Sequence, residues 1–444
     1  MLNHLRKLIA NKHVLILGFG REGRSTLRRI EEAGGYASVT IADQAGASPE
    51  NPSVRVLSGP GYMDTLDHYD LVFKSPGIVL PGDPSKYICT FTSQMEVFFT
   101  AFRERIIGIT GTKGKSTVTT LLYHILKENG RDAVLAGNIG IPAFDILEDI
   151  HPETLLVCEL SCHQLEYISV SPHWAVLLNI HEEHLDHYGT MAKYVRSKQQ
   201  IYLHQKPDDL LFCGLDVLPA KGTCRSRIYT VSDRFSTADV LLSGTRIRFE
   251  RGDYRIPAGD IHLLGHHNHM DIAFDYAVCH ELGLSDEEFD TALRTYQPLP
   301  HRLNYIGDRD GVRYYDDSIS TICETTIQAL KSIPQVGTVL IGGMDRGIDY
   351  EELILFLSED PVPHIILMAD TGRRIYEEIQ EKHPDFHARE RLVLVDTLEE
   401  AVAQAKVLTA PGTSCVLSPA AASYGIFKNF EERGDVFTEL VFAP

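Results

Sequence analysis

The chain has 444 residues, a formal net charge of −19 and 8 cysteines. This length exceeds what one hydrophobic core usually supports, so roughly two to four domains are expected. The acidic balance argues against broad binding to nucleic acid, no apolar run is long enough for a membrane span, and the N-terminus lacks the features of a signal peptide. The cysteines are scattered without a CxxC pair, which argues against a zinc ribbon or a disulfide framework and fits a reducing cytoplasm.

The first predicted element is a strand at His13–Leu17 that leads into the glycine pattern running from Gly18 through Gly20 to Gly23. A helix is predicted to begin near Ser25. A GxGxxG pattern between a strand and a helix is typical of sites that hold a nucleotide diphosphate at the helix N-terminus. Two interpretations stay open, phosphate binding and glycines that serve only close packing.

Two further strands complete the first predicted domain. The strand Ser38–Ala42 ends on Asp43, about twenty residues after the glycine pattern, where dinucleotide-binding folds place an acidic residue. The strand Leu71–Lys74 runs into a turn at Ser75–Gly77. Because the segment ends soon afterwards, we interpret it as a half-size Rossmann-like domain that holds a nucleotide diphosphate.

A second glycine turn marks the next predicted domain. The β-branched run Ile106–Ile109 predicts a buried strand, and Gly111–Gly114 forms the turn after it. Apolar residues then recur with the period of a helix at Val118, Leu121, Leu122, Ile125 and Leu126. Backbone N–H groups and the helix dipole point at one volume, so Lys115 is placed to reach a phosphate and the hydroxyl of Ser116 or Thr117 to ligate Mg²⁺. The alternative is a solvated turn with two lysines.

A carboxylate and an imidazole follow the next two predicted strands. Glu159 ends the strand Thr154–Glu159, and His184 follows the strand Trp174–Ile180. Residues just past the carboxyl ends of parallel strands converge on one crevice, so both are candidates for the Mg²⁺ site of the phosphate loop. Since Mg²⁺ prefers oxygen ligands, a plain hydrogen-bonding role for His184 is equally open.

A lysine lies within the apolar stripe of the following predicted helix. Met191, Tyr194, Val195 and Tyr202 mark the stripe, and Lys198 occupies its i+7 position. A lysine on a buried face has a lowered pKa or a partner. Its neutral amine can add CO₂ to become a carbamate, which is an oxygen-donor ligand. The alternative is a snorkelling lysine whose ammonium reaches water or a carboxylate.

A polar motif and a proline-marked segment end the second predicted domain. Gly265–Asn268 precedes a helix predicted at Met270–Leu282 and can present an amide side chain to a nucleotide base. The segment Gln297–Arg302 predicts a domain boundary.

The last part of the chain alternates between strands and helices again. Strands are predicted at Thr338–Ile341, His364–Met368, Leu392–Val395 and Ser414–Leu417. This alternation predicts a third α/β unit of the doubly wound kind.

In this order, the motifs resemble the Mur ligase family, ATP-dependent amide ligases of peptidoglycan synthesis, over essentially the whole chain. The stretches that carry the resemblance are Gly18–Ser25, Ser75–Gly77, Gly111–Thr117, Gly137–Gly140, Glu159–Glu166, Leu178–Asp186, Lys198, Gly265–Asn268, His301–Arg302, Asp317–Ser318, Gly342–Gly343, Leu417–Ala420, Ser423 and Lys428–Gly434. The resemblance implies an α/β fold in three domains, a Rossmann-like N-terminal domain (residues 1–97), a P-loop-type central ATPase domain (98–298) and a Rossmann-like C-terminal domain (299–444).

The resemblance also implies roles for individual residues. The UDP-linked substrate would be held by Gly20, Asp43, Ser75, Pro76, Gly77, Asn138 and Gln164. ATP would be bound by Gly111, Thr112, Lys113, Gly114, Lys115, Ser116, Thr117, Asn268, Arg302 and Asp317. Catalysis would depend on Lys115, Glu159, His184 and Lys198, with one Mg²⁺ on Ser116 and Glu159 and a second on His184 and carbamylated Lys198. The incoming glutamate would contact Thr321, Arg346, Ser423 and Phe430.

Among family members the glutamate-adding enzymes are the most similar, which implies UDP-MurNAc-L-Ala, D-glutamate and ATP as substrates of a cytoplasmic monomer without nucleic-acid or membrane partners. The chain departs from their pattern at three positions. Lys113 replaces the usual asparagine of the loop, Ile319 replaces a lysine after Asp-Ser, and Arg346 replaces a lysine after Gly-Gly. An arginine offers a planar fork for bidentate carboxylate binding, and these departures keep L-glutamate open as the substrate.

Two other functions are alternatives for this chain. A folylpolyglutamate synthetase shares the family fold, but the N-terminal half-domain and the Leu417–Ala420 motif argue against it. A non-catalytic nucleotide-binding protein is the other alternative, and the intact set of Lys115, Glu159, His184 and Lys198 argues against it.

Overall fold

The computed structural model describes residues 1–137, 141–250, 252–257, 261–263, 265–359, 362–383, 386 and 389–443. Strands and helices alternate along the chain, as expected for an α/β protein. The chain divides into two compact units. One is formed by Met1–Ala258 with Met270–Leu293, and the other by Gly259–His269 with Arg294–Pro444.

The first sheet and its helices contain β1 (His13–Leu17), β2 (Ser38–Ala42), β3 (Arg55–Leu57), β4 (Leu71–Lys74), β5 (Thr90–Thr92), α1 (Leu2–Ile9), α2 (Arg21–Ala33) and α3 (Gln94–Phe102). All five strands are parallel, in the order β3-β2-β1-β4-β5. Strands are added on both sides of β1, so the loops after β1 and β4 lie side by side at the carboxyl edge, where open α/β sheets bind ligands. The predicted strands β1, β2 and β4 are confirmed.

Helix α2 begins at Arg21, about one turn before Ser25. The prediction that it begins near Ser25 was therefore wrong. Gly20 is its N-cap in an extended conformation, so the helix starts inside the glycine pattern. A Cβ on Gly23 would lie 2.2 Å from the carbonyl oxygen of Gly18. The third glycine of the pattern therefore allows the first turn of α2 to pack against the loop.

The second sheet contains β6 (Ile106–Thr110), β7 (Ala133–Gly137), β8 (Leu155–Glu159), β9 (Trp174–Leu177), β10 (Leu210–Gly214), β11 (Arg227–Ser232), β12 (Val240–Ser243), β13 (Arg246–Phe249) and β14 (Gly252–Arg255). Its order is β14-β13-β12-β11-β10-β9-β6-β8-β7, and only the β12-β13-β14 pairings are antiparallel among the described strands. The helices of this segment are α4 (Lys115–Glu128), α5 (Cys162–Leu165), α6 (Leu185–Tyr188), α7 (Met191–Leu203), α8 (His266–Glu281) and α9 (Asp286–Thr295).

Two predicted boundaries in this region were wrong. Strand β9 ends at Leu177 instead of Ile180, because Asn179 turns away to bond the loop after β6. Helix α8 begins at His266 instead of Met270, and Asn268 therefore lies in its first turn and is buried.

The third sheet contains β15 (Asn304–Arg309), β16 (Val312–Asp316), β17 (Val336–Gly342), β18 (His364–Met368), β19 (Leu392–Val395) and β20 (Ser414–Leu417), with α10 (Cys323–Ser332), α11 (Glu351–Glu359), α12 (Ala369–Lys382), α13 (Leu398–Leu408) and α14 (Phe430–Phe442). Its order is β15-β16-β20-β17-β18-β19, and β15 pairs antiparallel with β16 while the other pairings are parallel. The four predicted strands, β17 to β20, are confirmed.

The strands of the three sheets span residues 13–92, 106–255 and 304–417, so each sheet falls inside one predicted domain. The domain limits at residues 97 and 298 themselves stay a prediction. Within the described part of the chain, no helix has both the length and the apolar character needed to cross a bilayer.

Candidate active site

The predicted phosphate loop joins β6 to α4 with the expected geometry. β6 is buried along its whole length, and α4 begins at Lys115 directly after Gly114. Gly114 has a φ of +84°, and a Cβ there would lie 2.4 Å from the carboxylate of Asp271. Only glycine fits this position. The predicted strand, glycine turn and helix are confirmed over Gly111–Thr117.

Asn179, which the sequence analysis did not select as a site residue, holds the loop in shape. Its Oδ1 accepts hydrogen bonds from the backbone N–H of Thr112 at 3.1 Å and of Lys113 at 2.9 Å, and its Nδ2 donates to the carbonyl oxygen of Lys113 at 3.1 Å. An asparagine just past the end of a strand beside β6 was the available signal. One side chain thus fixes two backbone groups of the predicted ATP loop.

The two lysines of the loop have different partners. The Nζ of Lys115 donates to the carbonyl oxygen of Thr112 at 2.8 Å, and burial lowers the pKa of Lys115. The Nζ of Lys113 lies 3.1 Å from Oε1 of Glu183 in a partly exposed ion pair. Lys115 therefore curls over the loop, whereas Lys113 ties the loop to the segment after β9.

Lys198 lies on the buried face of α7, as predicted. Its Nζ donates to the carbonyl oxygen of Gly111 at 2.7 Å and lies 5.0 Å from the ring centroid of Tyr194. Only 2% of the residue is exposed, so the snorkelling alternative is wrong. Burial, followed by the charge of Lys115, lowers the pKa of Lys198 to about 8. The phenol of Tyr194 is in turn 2.9 Å from the hydroxyl of Thr112, which links α7 to the loop.

The two other predicted catalytic residues lie at the end of β8 and after β9, the strands on either side of β6. Glu159 is the last residue of β8 and is buried. His184 has a left-handed φ of +57° and a partly exposed ring whose centroid is 4.9 Å from that of His163. His187 approaches the same His163 ring at 4.4 Å. Burial and then these two histidines lower the pKa of His163 to about 4, so its ring is neutral at pH 7.

One cavity of about 310 Å³ is lined by three of the four predicted catalytic residues, and Glu159 is not among its lining residues. Lys115, His184 and Lys198 line it together with Pro76 and Gly77 of the turn after β4. Its other lining residues are Ser161, Cys162, His163 and Glu183. Catalytic candidates from the second sheet and substrate-binding candidates from the first sheet therefore share one site.

The residues fit a divalent cation at one of the two predicted positions. The hydroxyl of Ser116 and the buried carboxylate of Glu159 are hard oxygen donors of the kind that Mg²⁺ prefers. At the second position, the ammonium of Lys198 donates to Gly111 and has no lone pair to offer a metal. That position fits Mg²⁺ only if Lys198 carries a carbamate, which would join His184 with oxygen donors.

Asp43 and Ser75, two of the residues predicted for the UDP-linked substrate, lie at the carboxyl edge of the first sheet. Asp43 accepts hydrogen bonds from the backbone N–H of Phe19 at 2.7 Å and of Ala45 at 2.9 Å, so its carboxylate shapes the glycine loop. The hydroxyl of Ser75 donates to the carbonyl oxygen of Gly18 at 2.9 Å and joins the two loops.

Gly20, Gln164 and Asn138 are also predicted to hold the UDP-linked substrate. Gly20 caps α2 and is exposed. Gln164 forms a capping box with Ser161 at the start of α5, and its Oε1 accepts from the Ser161 N–H at 3.1 Å. Asn138 lies outside the described residues.

Glu22, in the first turn of α2, gives a prediction about pH. Burial raises the pKa of its carboxyl from 4.5 to about 7, against smaller opposite effects of Gln164 and Lys74. The folded protein therefore retains this proton at pH values where the unfolded chain has lost it. We expect the free energy of unfolding to fall as pH rises between these two values and then to level off. Urea unfolding at a series of pH values should show that E22Q lacks this component, while E32Q, at the exposed end of the same helix, keeps it.

In the second unit, the ATP candidates Asn268 and Asp317 are buried and Arg302 is partly buried. Asp317 is buried and accepts hydrogen bonds from the Leu303 N–H at 3.1 Å and from the Ser418 hydroxyl at 2.7 Å. Burial raises the pKa of Asp317 to about 6. Asp317 thus joins the segment after Arg302 to the loop after β20, a role that the sequence did not indicate.

The predicted glutamate residues follow adjacent strands of the third sheet. Nη2 of Arg346 donates to the carbonyl oxygen of Thr321 at 2.7 Å, which brings these two candidates together. A backbone bridge between Met344 and Ala422 joins the loop that carries Arg346 to the loop that carries Ser423. The loops after β16, β17 and β20 therefore meet around these side chains.

Arg433 organises the same loops and was missed as an individual residue. Its guanidinium is 1% exposed and donates to the hydroxyl of Ser318 at 3.0 Å, to the Ser318 carbonyl at 2.8 Å and to the Ala421 carbonyl at 3.0 Å. The Ser318 hydroxyl donates to the carbonyl oxygen of Phe430 at 2.8 Å. A buried arginine with three carbonyl and hydroxyl acceptors holds the start of α14 against the loop after β16.

Known proteins are similar in sequence to this chain over nearly its whole length. A sequence model of the Mur ligase middle domain matches residues 109–274. The UDP-N-acetylmuramoylalanine–D-glutamate ligase of Geobacillus kaustophilus is 34% identical over 449 residues, which cover 97% of this chain and 97% of that protein. The ligase of the same name from Listeria monocytogenes is 32% identical over 453 residues and covers 97% of this chain and 96% of its own.

Solved structures share the fold at lower identity. The MurF ligase of Thermotoga maritima in complex with ADP aligns with a TM-score of 0.58 at 18% identity, covering 99% of this chain and 97% of its own. The UDP-N-acetylmuramoylalanyl-D-glutamyl-2,6-diaminopimelate–D-alanyl-D-alanyl ligase of Acinetobacter baumannii aligns with a TM-score of 0.62 at 16% identity, covering 99% and 98%. These alignments confirm the predicted α/β fold. The full-length relatives show that the chain belongs to the Mur ligase family.

Proposed function

We propose that this protein is an ATP-dependent ligase that joins D-glutamate to the alanyl carboxylate of UDP-N-acetylmuramoyl-L-alanine in cytoplasmic peptidoglycan precursor synthesis. The observation that carries the proposal is the cavity in which Lys115, His184 and Lys198 face the turn at Pro76 and Gly77. Two relatives that carry the name of this ligase over nearly the full chain support the choice of substrates.

The first chemical step joins two anions. A carboxylate oxygen of the alanyl group attacks the γ-phosphorus of ATP, the bond from that phosphorus to the bridging oxygen breaks, and an acyl phosphate and ADP form. Positive charge must stabilise the transferring phosphoryl group. In this proposal the ammonium of Lys115 and the backbone N–H groups at the start of α4 supply that charge, which their position at the loop after β6 supports.

The second step forms the amide. The amine of glutamate attacks the acyl carbon, phosphate leaves and the nitrogen loses a proton. The candidates for holding glutamate are Thr321, Arg346, Ser423 and Phe430. Arg346 is the one positively charged residue among these four. Its guanidinium can fork onto one carboxylate of glutamate, and the hydroxyls of Thr321 and Ser423 can donate to the other.

Magnesium ions complete the phosphate site in this proposal. Ser116 and Glu159 would hold one ion, and His184 with carbamylated Lys198 would hold a second. Bound there, Mg²⁺ supplies positive charge to phosphate oxygens during transfer. Ser116 suits this role better than Thr117, because Thr117 is buried in α4 whereas Ser116 is only partly buried.

Arg346 gives a prediction about the second substrate. R346K keeps the charge and loses the fork, so we expect the KM for glutamate to rise by about tenfold, the scale of one hydrogen bond to a charged group, with the KM for ATP nearly unchanged. Steady-state phosphate release measures both constants. R373K is the matched control, because Arg373 is an exposed arginine paired with Asp396 at 2.7 Å. Equal changes in both KM values would contradict a role for Arg346 in glutamate binding.

The experiment that tests the function is phosphate release from ATP and UDP-MurNAc-L-Ala with each glutamate enantiomer offered separately at equal concentration. D-glutamate is expected to support turnover. L-glutamate is the second candidate, because Ile319 and Arg346 stand where lysines are usual. Turnover with L-glutamate alone would change the substrate and keep the ligase chemistry, whereas no glutamate-dependent release with either enantiomer would refute the proposal.

A further inference from the structure

Lys74 is a buried lysine beside the loops expected to hold the UDP-linked substrate. It is the last residue of β4 and pairs with Leu17, from which the chain enters the glycine loop. The next residue, Ser75, donates its N–H to the carbonyl oxygen of Leu17 at 2.9 Å and its hydroxyl to that of Gly18 at 2.9 Å. Lys74 therefore lies where both loops leave the sheet, and only 5% of it is exposed.

The ammonium of Lys74 has few partners for a buried charge. Its Nζ lies 3.5 Å from Oε2 of Glu166, a long hydrogen bond, and 5.1 Å from the ring centroid of Tyr167. Glu166 is shared, because the same oxygen is 3.3 Å from Nε2 of His187. An ammonium has three N–H donors, and across the described residues Nζ has no second hydrogen bond. A buried cation in this state is stabilised by a further anionic acceptor.

The neighbouring acid compensates this charge only in part. Glu22, in the first turn of α2, is near enough to Lys74 for their charges to interact. Burial raises the pKa of Glu22 to about 7, so near neutral pH the carboxyl is incompletely ionised. The N-terminus of α2 thus lies near a lysine ammonium, and both the ammonium and the backbone N–H groups of a helix N-terminus favour an anion.

We propose that Lys74 binds an anionic oxygen of the diphosphate in the UDP-linked substrate, in addition to the glycine loop and the turn at Ser75–Gly77. Phosphate oxygens form strong charge-assisted hydrogen bonds with ammonium groups and would supply the acceptors that Lys74 lacks. The identity of the complete substrate rests on the proposed function. The proposed chemistry of the site, a nucleoside diphosphate held by a lysine and a helix N-terminus, rests on Lys74 and the start of α2.

The test compares the full-length variants K74M, K74R and K206M in ligand-observed NMR titrations with UDP and with uridine. Lys206 is the matched control, since its Nζ is 3.3 Å from Oε1 of Glu104 but its side chain is exposed. We expect K74M to bind UDP about 10- to 100-fold more weakly, the scale of one lost hydrogen bond to a charged group, with uridine affinity changed by less than about twofold. K74R should keep most of the UDP affinity, and K206M should match the wild type.

Three results would overturn the inference. These are UDP affinity of K74M within about twofold of the wild type, equal losses for UDP and uridine, or no UDP binding by the wild type. If thermal unfolding shows that K74M is not folded, K74Q takes its place in the same titrations. UDP binding needs neither ATP nor glutamate, so a dependence on Lys74 can stand without ligase activity, and ligase activity can stand without that dependence.

Discussion

Replacing Lys115 by alanine is expected to lower the turnover of the ligase by about 100-fold or more, the scale of losing one donor to the transition state. The ammonium of Lys115 lies at the N-terminus of α4 and bonds the carbonyl oxygen of Thr112 at 2.8 Å, so it stands over the loop that would hold the phosphates. Its charge matters most while the γ-phosphoryl group moves between two anions. Turnover should therefore fall more than ATP affinity.

Single-turnover and steady-state phosphate release, with ATP binding measured by calorimetry, separate these two effects in K115A. Lys127, in the exposed last turn of the same helix, provides the matched control K127A, which should behave like the wild type. Near-normal turnover in K115A would mean that the loop after β6 is not the ATP site.

The elements around this loop were predictable because they are local in sequence. The run Ile106–Ile109 is apolar at every position except its glycine, and the residues from Val118 to Leu126 follow the period of a helix. Both patterns report burial directly. The same argument found four strands of the third sheet, β17 to β20, which are short apolar runs. Strands β17, β18 and β20 are buried along nearly their whole length, whereas β19 is only partly buried.

Strand β15, the outer strand of the β15–β16 hairpin, escaped prediction for the opposite reason. β15 lies at the edge of its sheet, and its residues from Asn304 to Arg309 are mostly polar and only partly buried. Strand β14, at the edge of the second sheet, has the exposed sequence Gly252–Arg255 and was missed in the same way. These two edge strands bury too little surface to leave an apolar pattern, so their composition resembles that of a loop. The edge strand β19 keeps an apolar run and was predicted.

Contacts between segments that are distant in sequence limit how much of the candidate site could be predicted. A lysine at an i+7 position predicted that Lys198 is buried, and it is. No pattern in α7 could show that its ammonium bonds Gly111, because that partner is 87 residues away. The clamp of Asn179 on the loop and the contact of Lys74 with Glu166 are of the same kind. The roles assigned to the individual site residues stay predictions until variants are measured.

Replacing Lys198 by alanine is expected to abolish nearly all ligase activity, and a short carboxylic acid such as acetate should restore part of it. The side chain is 2% exposed, and its Nζ is 2.7 Å from the carbonyl oxygen of Gly111, so it points at the phosphate loop. Burial and the charge of Lys115 lower its pKa to about 8, which leaves a fraction of neutral amine near neutral pH. That amine can attack CO₂ through its nitrogen lone pair, lose a proton and become a carbamate.

The rescue experiment separates a carbamate from a lysine that serves only packing. Removing the side chain in K198A leaves a gap lined by the loop and Tyr194, and a small carboxylate in that gap restores oxygen donors without restoring the aliphatic stem. K193A, at an exposed position of the same helix, should keep full activity and show no response to acetate. Crystals of the wild type grown with bicarbonate and Mg²⁺ give the direct observation. Electron density that ends at a plain amine on Lys198, together with no response of K198A to acetate, would show that the second metal position lacks its oxygen ligand.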